Sequence, residues 1–118
     1  MRKFKDLEIW ILAKSVALDT YKVTKQMPLE EQFGFTSQMR RAAVSIPSNI
    51  SEGCSRSSNK EFVRFLEIAI GSAFELETQL ILSLDLKYIK EEDALQLIDL
   101  LNQLQLKINA FIKSVKKF

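Results

Sequence analysis

Residues 36–56 read TSQMRRAAVSIPSNISEGCSR, and this segment carries two rows of side chains at helical spacing. Each row repeats at steps of three and four residues, which places its members on one face of an α-helix. The apolar and small row contains Met39, Ala43, Ile46, Ile50 and Gly53. The polar row contains Gln38, Arg41, Ser45, Ser48 and Glu52. A helix with two patterned faces has two neighbours, so we predict that the polar row meets another helix or another copy of the chain.

Pro47 stands inside this predicted helix. A proline ring in a helix interior removes a hydrogen bond and clashes with the carbonyl four residues earlier, which costs about 3 kcal/mol. Both rows nevertheless keep their phase on either side of the proline. We therefore predict one helix over residues 36–53 that is kinked at Pro47 and ends at Gly53 in a left-handed C-cap.

The rest of the chain predicts three more helices with short connectors, over residues 6–26, 58–86 and 91–116. The first has Asp6 as its N-cap, and the next opens with a capping box of Ser58 and Glu61. The seam predicted for the last helix is Leu97, Leu101, Leu104, Ile108, Phe111, Val115 and Phe118. At 118 residues the chain has the length of one domain. The fold class is all-α, an up-down-up-down antiparallel four-helix bundle in a single domain.

A family resemblance rests on FTSQMRRAAVSIPSNISEG at residues 35–53, on KEFVRFLEIAIGSAFELETQL at residues 60–80, and on Arg56 and Tyr88. These pieces resemble the four-helix-bundle proteins encoded in intervening sequences of bacterial large-subunit rRNA genes. The resemblance covers residues 4–88. It implies a closed homopentamer and no settled molecular activity. The family is also similar in fold to the accessory variability determinant of diversity-generating retroelements, which assists a reverse transcriptase.

Apolar rows on two faces of the first and third predicted helices suggest burial from two sides, by the bundle and by further copies of the chain. The third helix carries its own polar row, in which we expect a counterpart to the polar row of the second helix. The resulting packing or oligomer network is Gln38, Arg41, Ser45, Ser48, Glu52, Glu67, Gly71 and Glu75. Within it, Arg41 either pairs with Glu67 or Glu75 or remains solvated.

The composition argues against most catalytic chemistry. The chain has no histidine, which removes Ser-His and Cys-His nucleophiles and the common zinc patterns. We predict no enzyme activity, catalytic residue, metal, cofactor or small-molecule substrate, and we take Cys54 as an incidental residue. No apolar stretch approaches the roughly 20 residues of a membrane span, and no signal peptide is recognisable. A cytoplasmic bacterial protein without a membrane partner is expected.

The predicted topology gathers cationic residues at the bundle end that holds both termini. They are Arg2, Lys3, Lys5, Arg56, Lys60, Arg64, Lys113, Lys116 and Lys117. One interpretation is an RNA- or DNA-binding surface that a ring of copies multiplies. Another is that lysines near a helix C-terminus offset its dipole and keep the end solvated. The leading function is a self-assembling accessory protein that binds nucleic acid or a nucleic-acid-handling protein, such as a reverse transcriptase. The alternative is a purely protein-interacting oligomeric scaffold.

Overall fold

The computed structural model describes residues 2–117, which form four α-helices. These are α1 Glu8–Val23, α2 Phe35–Cys54, α3 Asn59–Asp85 and α4 Glu91–Lys116. α1 packs against α2 and α4, and α3 packs against the same two helices. Within the described part of the chain, the backbones of α1 and α3, and those of α2 and α4, do not approach within 8 Å between Cα atoms. The predicted all-α, up-down-up-down antiparallel four-helix bundle is confirmed.

An apolar core runs along the bundle, and every helix contributes one seam to it. The seam of α4 consists of Ala94, Leu97, Leu101, Leu104, Ile108 and Ile112. The prediction placed Phe111 and Val115 in this seam, but both are half-buried and Ile112 takes the buried position. The reason is that a straight α-helix advances 3.6 residues per turn, so a strict 3.5-residue pattern drifts off the buried face. Phe118, the last predicted seam residue, lies outside the described residues.

The helix starts follow local chemistry in one case and tertiary packing in another. Glu61 N donates to Ser58 Oγ at 3.1 Å, which confirms the cap predicted for α3. The prediction that Asp6 caps α1 is wrong. Asp6 ends a 3₁₀ turn at Phe4–Asp6, and Leu7 occupies the N-cap position without a side-chain hydrogen bond. Apolar packing holds this end instead, because Phe4 and Leu7 lie against the core.

α2 continues through Pro47 from Phe35 to Cys54, as the unbroken phase of its two rows predicted. The kink at Pro47 stays a prediction. The assignment of Gly53 as a left-handed C-cap is wrong, because no glycine in the described chain has a positive φ and the helix ends on Ser55 in right-handed geometry. Gly53 is buried against α3. A Cβ there would lie 2.8 Å from Phe65 Cβ, so the glycine serves close helix packing.

The bundle measures 46 × 23 × 20 Å. None of its helices, within residues 2–117, combines the length and the apolar character that a membrane crossing requires.

Candidate nucleic-acid interface

The N-terminal segment folds over the turn between α2 and α3. Arg2 N donates to the carbonyl of Cys54 at 3.4 Å, and its guanidinium donates to Asn59 Oδ1. The same guanidinium lies 4.1 Å from the centre of the Phe62 ring. A cation over an aromatic face is attracted by the ring quadrupole, so Arg2 acts as an anchor of the fold. Its charge is already engaged by protein groups.

Arg56 is held in a similar way at the start of the same turn. Its guanidinium lies 4.8 Å from the centre of the Phe65 ring and pairs with Glu52 at 3.3 Å. The sequence assigned Arg56 to the cationic surface and Glu52 to the packing network, and the structure pairs the two instead. Two of the predicted basic residues are therefore committed within the chain.

The lysines at this end of the bundle are more accessible to a ligand than Arg2 and Arg56. Lys60 and Lys116 line one cleft of about 380 Å³ between the first turn of α3 and the last turn of α4, together with Asn59, Val63, Glu67 and Val115. Exposed cations at the same end are Lys3, Lys5, Arg64, Lys113 and Lys117. Glu67 is the only acid among the residues that line the cleft. We call this feature the lysine cleft.

The predicted packing network forms one hydrogen bond between helices, through Ser45. Ser45 Oγ lies 2.8 Å from Ser72 Oγ, and Asn49 Nδ2 donates to Ser45 Oγ at 2.9 Å. Ser72 is the partner on α3, and the sequence prediction had chosen Gly71. A Cβ on Gly71 would meet no atom within 4 Å, so this residue lies away from α2. The remaining network residues are exposed: Gln38, Arg41, Ser48, Glu52, Glu67, Gly71 and Glu75.

Arg41 makes no ion pair with Glu67 or Glu75 inside the described chain. The predicted pairing across α2 and α3 is therefore wrong for a single copy, because all three side chains turn outward. Solvation was the alternative interpretation, and it describes the subunit correctly.

Sequence reasoning missed a groove at the corner of α1 and α2. It has a volume of about 510 Å³ and is lined by Tyr21, Gln32, Phe33, Thr36, Ser37, Arg40, Arg41 and Val44. Two aromatic rings and two arginines meet there from α1, the connector and α2. We call this feature the aromatic groove. The available signal was Phe33, a large apolar residue in a turn beside Gly34.

Cys54 is buried, with 1% of its surface exposed. Burial raises the pKa of the Cys54 thiol, and the nearby positive charge of Arg2 opposes this in part. A thiol that stays protonated and covered is a poor nucleophile. No group of histidine, cysteine and acidic side chains suited to a metal ion occurs among the residues described.

We expect Cys54 in the folded protein to react with Ellman's reagent much more slowly than a free thiol at neutral pH, and fully once the chain is unfolded in urea. Arg2→Ala should accelerate the reaction of the folded protein by uncovering the thiol. Loss of the Arg2 charge alone would raise the thiol pKa and slow the reaction. Acceleration therefore reports exposure, whereas an unchanged or slower rate would show that Arg2 does not cover Cys54.

Comparisons with known proteins agree on one group. The family model described as "23S rRNA-intervening sequence protein" matches residues 5–110. The chain is also similar to a protein of unknown function from the S23 ribosomal protein family of Bacteroides thetaiotaomicron VPI-5482, whose crystal structure was determined at 1.70 Å. The two share 25% identity with a TM-score of 0.82, over 89% of this chain and 98% of the other. Among curated proteins, none shows significant similarity to the chain.

Proposed function

The chain belongs to the 23S rRNA-intervening sequence protein family, and on this premise we propose that it is a non-enzymatic, self-assembling helical bundle. Its role is that of an accessory protein in the cytoplasm, which binds RNA or DNA or a protein that handles nucleic acid. The observation that carries the nucleic-acid part is the lysine cleft, where Lys60 and Lys116 face one opening. Lys113 and Lys117 are exposed near the same end of α4.

Lysine ammonium groups on a solvent-facing cleft attract phosphates, and the release of counterions supplies much of the affinity. Here Lys60 and Lys116 come from the ends of two different helices, so the backbone of one nucleic-acid strand can contact both lysines. Glu67 lines the same cleft and reduces its positive charge. The arrangement fits moderate, sequence-tolerant binding, because lysine contacts to phosphate carry no direct sequence information and the amide oxygen of Asn59 in the cleft already accepts from Arg2.

The non-enzymatic part of the proposal rests on the groups that are present. The sequence contains no histidine, and its one cysteine is buried with a raised thiol pKa.

Self-assembly is supported by large apolar side chains that the subunit leaves exposed. They occur on every helix and in the connectors: Ile11, Leu18, Tyr21, Leu29, Phe33, Val44, Ile68, Phe74, Ile81, Leu82, Leu86, Leu95 and Leu106. Phe74 and Leu106 lie in one groove with Ile70, and exposed apolar side chains that lie together are typical of protein contacts. A closed homopentamer, which the family resemblance implies, would cover part of it and would repeat the lysine cleft around a ring.

We expect the triple variant Lys113→Gln, Lys116→Gln, Lys117→Gln to weaken binding of single-stranded RNA. Each lost phosphate contact lowers the slope of log affinity against log salt by about 0.7, so three contacts lower it by about 2. Fluorescence anisotropy at roughly 50 and 200 mM salt measures this slope. The control is Lys87→Gln with Lys90→Gln in the connector at the other end, which should change the slope much less per charge removed. Equal losses per charge would mean that the cations at the end of α4, Lys116 of the lysine cleft among them, bind RNA no better than other surface lysines, and would contradict the nucleic-acid part of the proposal.

The second candidate function, a protein-interacting scaffold without a nucleic-acid role, is favoured by the same exposed apolar residues. It requires assembly, and it requires that the wild-type protein bind no strand at low salt. The RNA titration at low salt separates the two candidates, and light scattering in dilute solution tests the assembly that both require. A folded subunit at 13.6 kDa would contradict self-assembly in either candidate.

A further inference from the structure

The aromatic groove offers a stacking surface next to free positive charge. We infer that it holds single-stranded nucleic acid, with one base stacked on Phe33 and a neighbouring phosphate bound by Arg41. The inference rests on the proposed nucleic-acid function and assigns it a contact away from the lysine cleft. The groove lies beside the connector between α1 and α2, whereas the lysine cleft lies where α3 begins and α4 ends.

Phe33 is 90% exposed although the backbone around it is firmly held. Gln32 N donates to Leu29 O at 3.0 Å, and Gly34 N donates to Glu31 O at 3.0 Å. These two bonds bracket Phe33, so its outward position follows from an ordered turn. A large apolar side chain presented by an ordered turn is informative, because phenylalanine is usually buried. Every nucleobase has a π-face that can stack on such a ring, irrespective of sequence.

The two arginines of the groove have different roles. Arg40 stacks on Tyr21, with its guanidinium carbon 4.6 Å from the ring centre, and donates from Nε to Thr24 Oγ1 at 2.9 Å. This fixes Arg40 and Tyr21 as one wall. Arg41 is exposed and makes no hydrogen bond or ion pair with any described residue. An uncommitted guanidinium beside aromatic rings suits a phosphate, which accepts two hydrogen bonds from it.

No carboxylate lines the groove. Glu31 precedes it in the chain, but its two carboxylate oxygens are already used. Oε1 accepts from Phe35 N at 3.3 Å, and Oε2 accepts from Tyr88 Oη at 3.3 Å. The groove is therefore net cationic, and its charge complements that of a nucleic-acid strand. Thr36 Oγ1 is buried beneath the groove and has no hydrogen-bond partner among the residues that the structure describes.

A nucleotide joins an aromatic plane and an anion within one unit, and the groove brings Phe33 and Arg41 into one lining. A duplex hides its bases in the stack and should bind less well at this position. An acidic peptide with an aromatic side chain also carries a ring and an anion. Tighter binding of such a peptide is therefore a competing outcome of the test.

The test uses fluorescence anisotropy of the full chain with a labelled 12-nucleotide single-stranded RNA. Phe33→Ala and Arg41→Gln should each weaken binding roughly tenfold, in line with the effect of removing one stacking platform. The matched controls are Leu29→Ala, an 83% exposed residue of the same connector, and Lys87→Gln, which removes the same charge. A strand with abasic positions should bind the wild type more weakly than the normal strand does. The two strands should bind Phe33→Ala with the same affinity.

The outcomes separate this inference from the lysine cleft. Loss of binding only in the triple lysine variant would keep the proposed function and overturn the groove. Loss only in the groove variants would support the groove and remove the lysine cleft as the binding surface. Wild-type protein that binds no RNA at low salt would overturn both. A drop in assembly mass for Phe33→Ala without a change in affinity would identify a contact between copies and overturn the groove. Tighter binding of an acidic aromatic peptide than of the strand would also overturn it.

Discussion

Phe62→Ala is expected to lower the free energy of unfolding by about 3–5 kcal/mol, the usual cost of truncating a buried aromatic residue. Phe62 is completely buried and joins three parts of the fold. Its ring packs edge-on against Phe111 of α4, with centroids 5.8 Å apart, and it supports the Arg2 guanidinium from the N-terminal segment. Truncation therefore leaves a cavity and also removes an aromatic pair and a cation–π contact.

Urea unfolding followed by circular dichroism, at one fixed protein concentration, measures this loss. Phe33→Ala removes the same side chain from an exposed position and should stay within about 0.5 kcal/mol of the wild type. Phe62→Leu keeps most of the volume and should cost less than Phe62→Ala. If Phe62→Ala and Phe33→Ala unfolded at the same urea concentration, the assignment of Phe62 to the core would be wrong.

The same substitution at two helical glycines should have opposite effects. Gly71→Ala is expected to raise stability by about 0.5–1 kcal/mol, because alanine favours the helix and its Cβ meets no atom within 4 Å. Gly53→Ala gains the same propensity, but its Cβ would lie 2.8 Å from Phe65 Cβ and 3.0 Å from Phe62 Cδ1. Overpacking of this kind costs typically about 1–3 kcal/mol, so we expect a net loss of up to about 2 kcal/mol.

Urea unfolding of the two glycine variants under identical conditions measures whether the free energy of unfolding rises for Gly71→Ala and falls for Gly53→Ala. A stabilised Gly53→Ala would mean that α2 and α3 can separate without loss. A destabilised Gly71→Ala, with a change in mass by light scattering, would place Gly71 against another copy of the chain. That result would support its assignment to an oligomer contact.

Some predictions made from the sequence failed because they depended on which residues of another helix lie nearby. The polar row of α2 was recognisable, but only its Ser45 bonds to α3, and the partner is Ser72. For Arg41 the sequence left open a pair with an acid of α3 or solvation, and the structure places it facing solvent beside a ring from a different element. Each assignment depended on how two helices are rotated against each other.

Some features of this protein are determined by the sequence alone and others by the tertiary structure, because the interactions involved act over different distances along the chain. The number of helices, the apolar seam of α2, the capping of α3 by Ser58 and the passage of α2 through Pro47 could be derived from the chain, because periodicity and capping act over a few consecutive residues. The close approach at Gly53, the burial of Cys54 and the aromatic groove were decided by packing between helices. Side chains distant in the chain meet there at angles and distances that no local pattern contains.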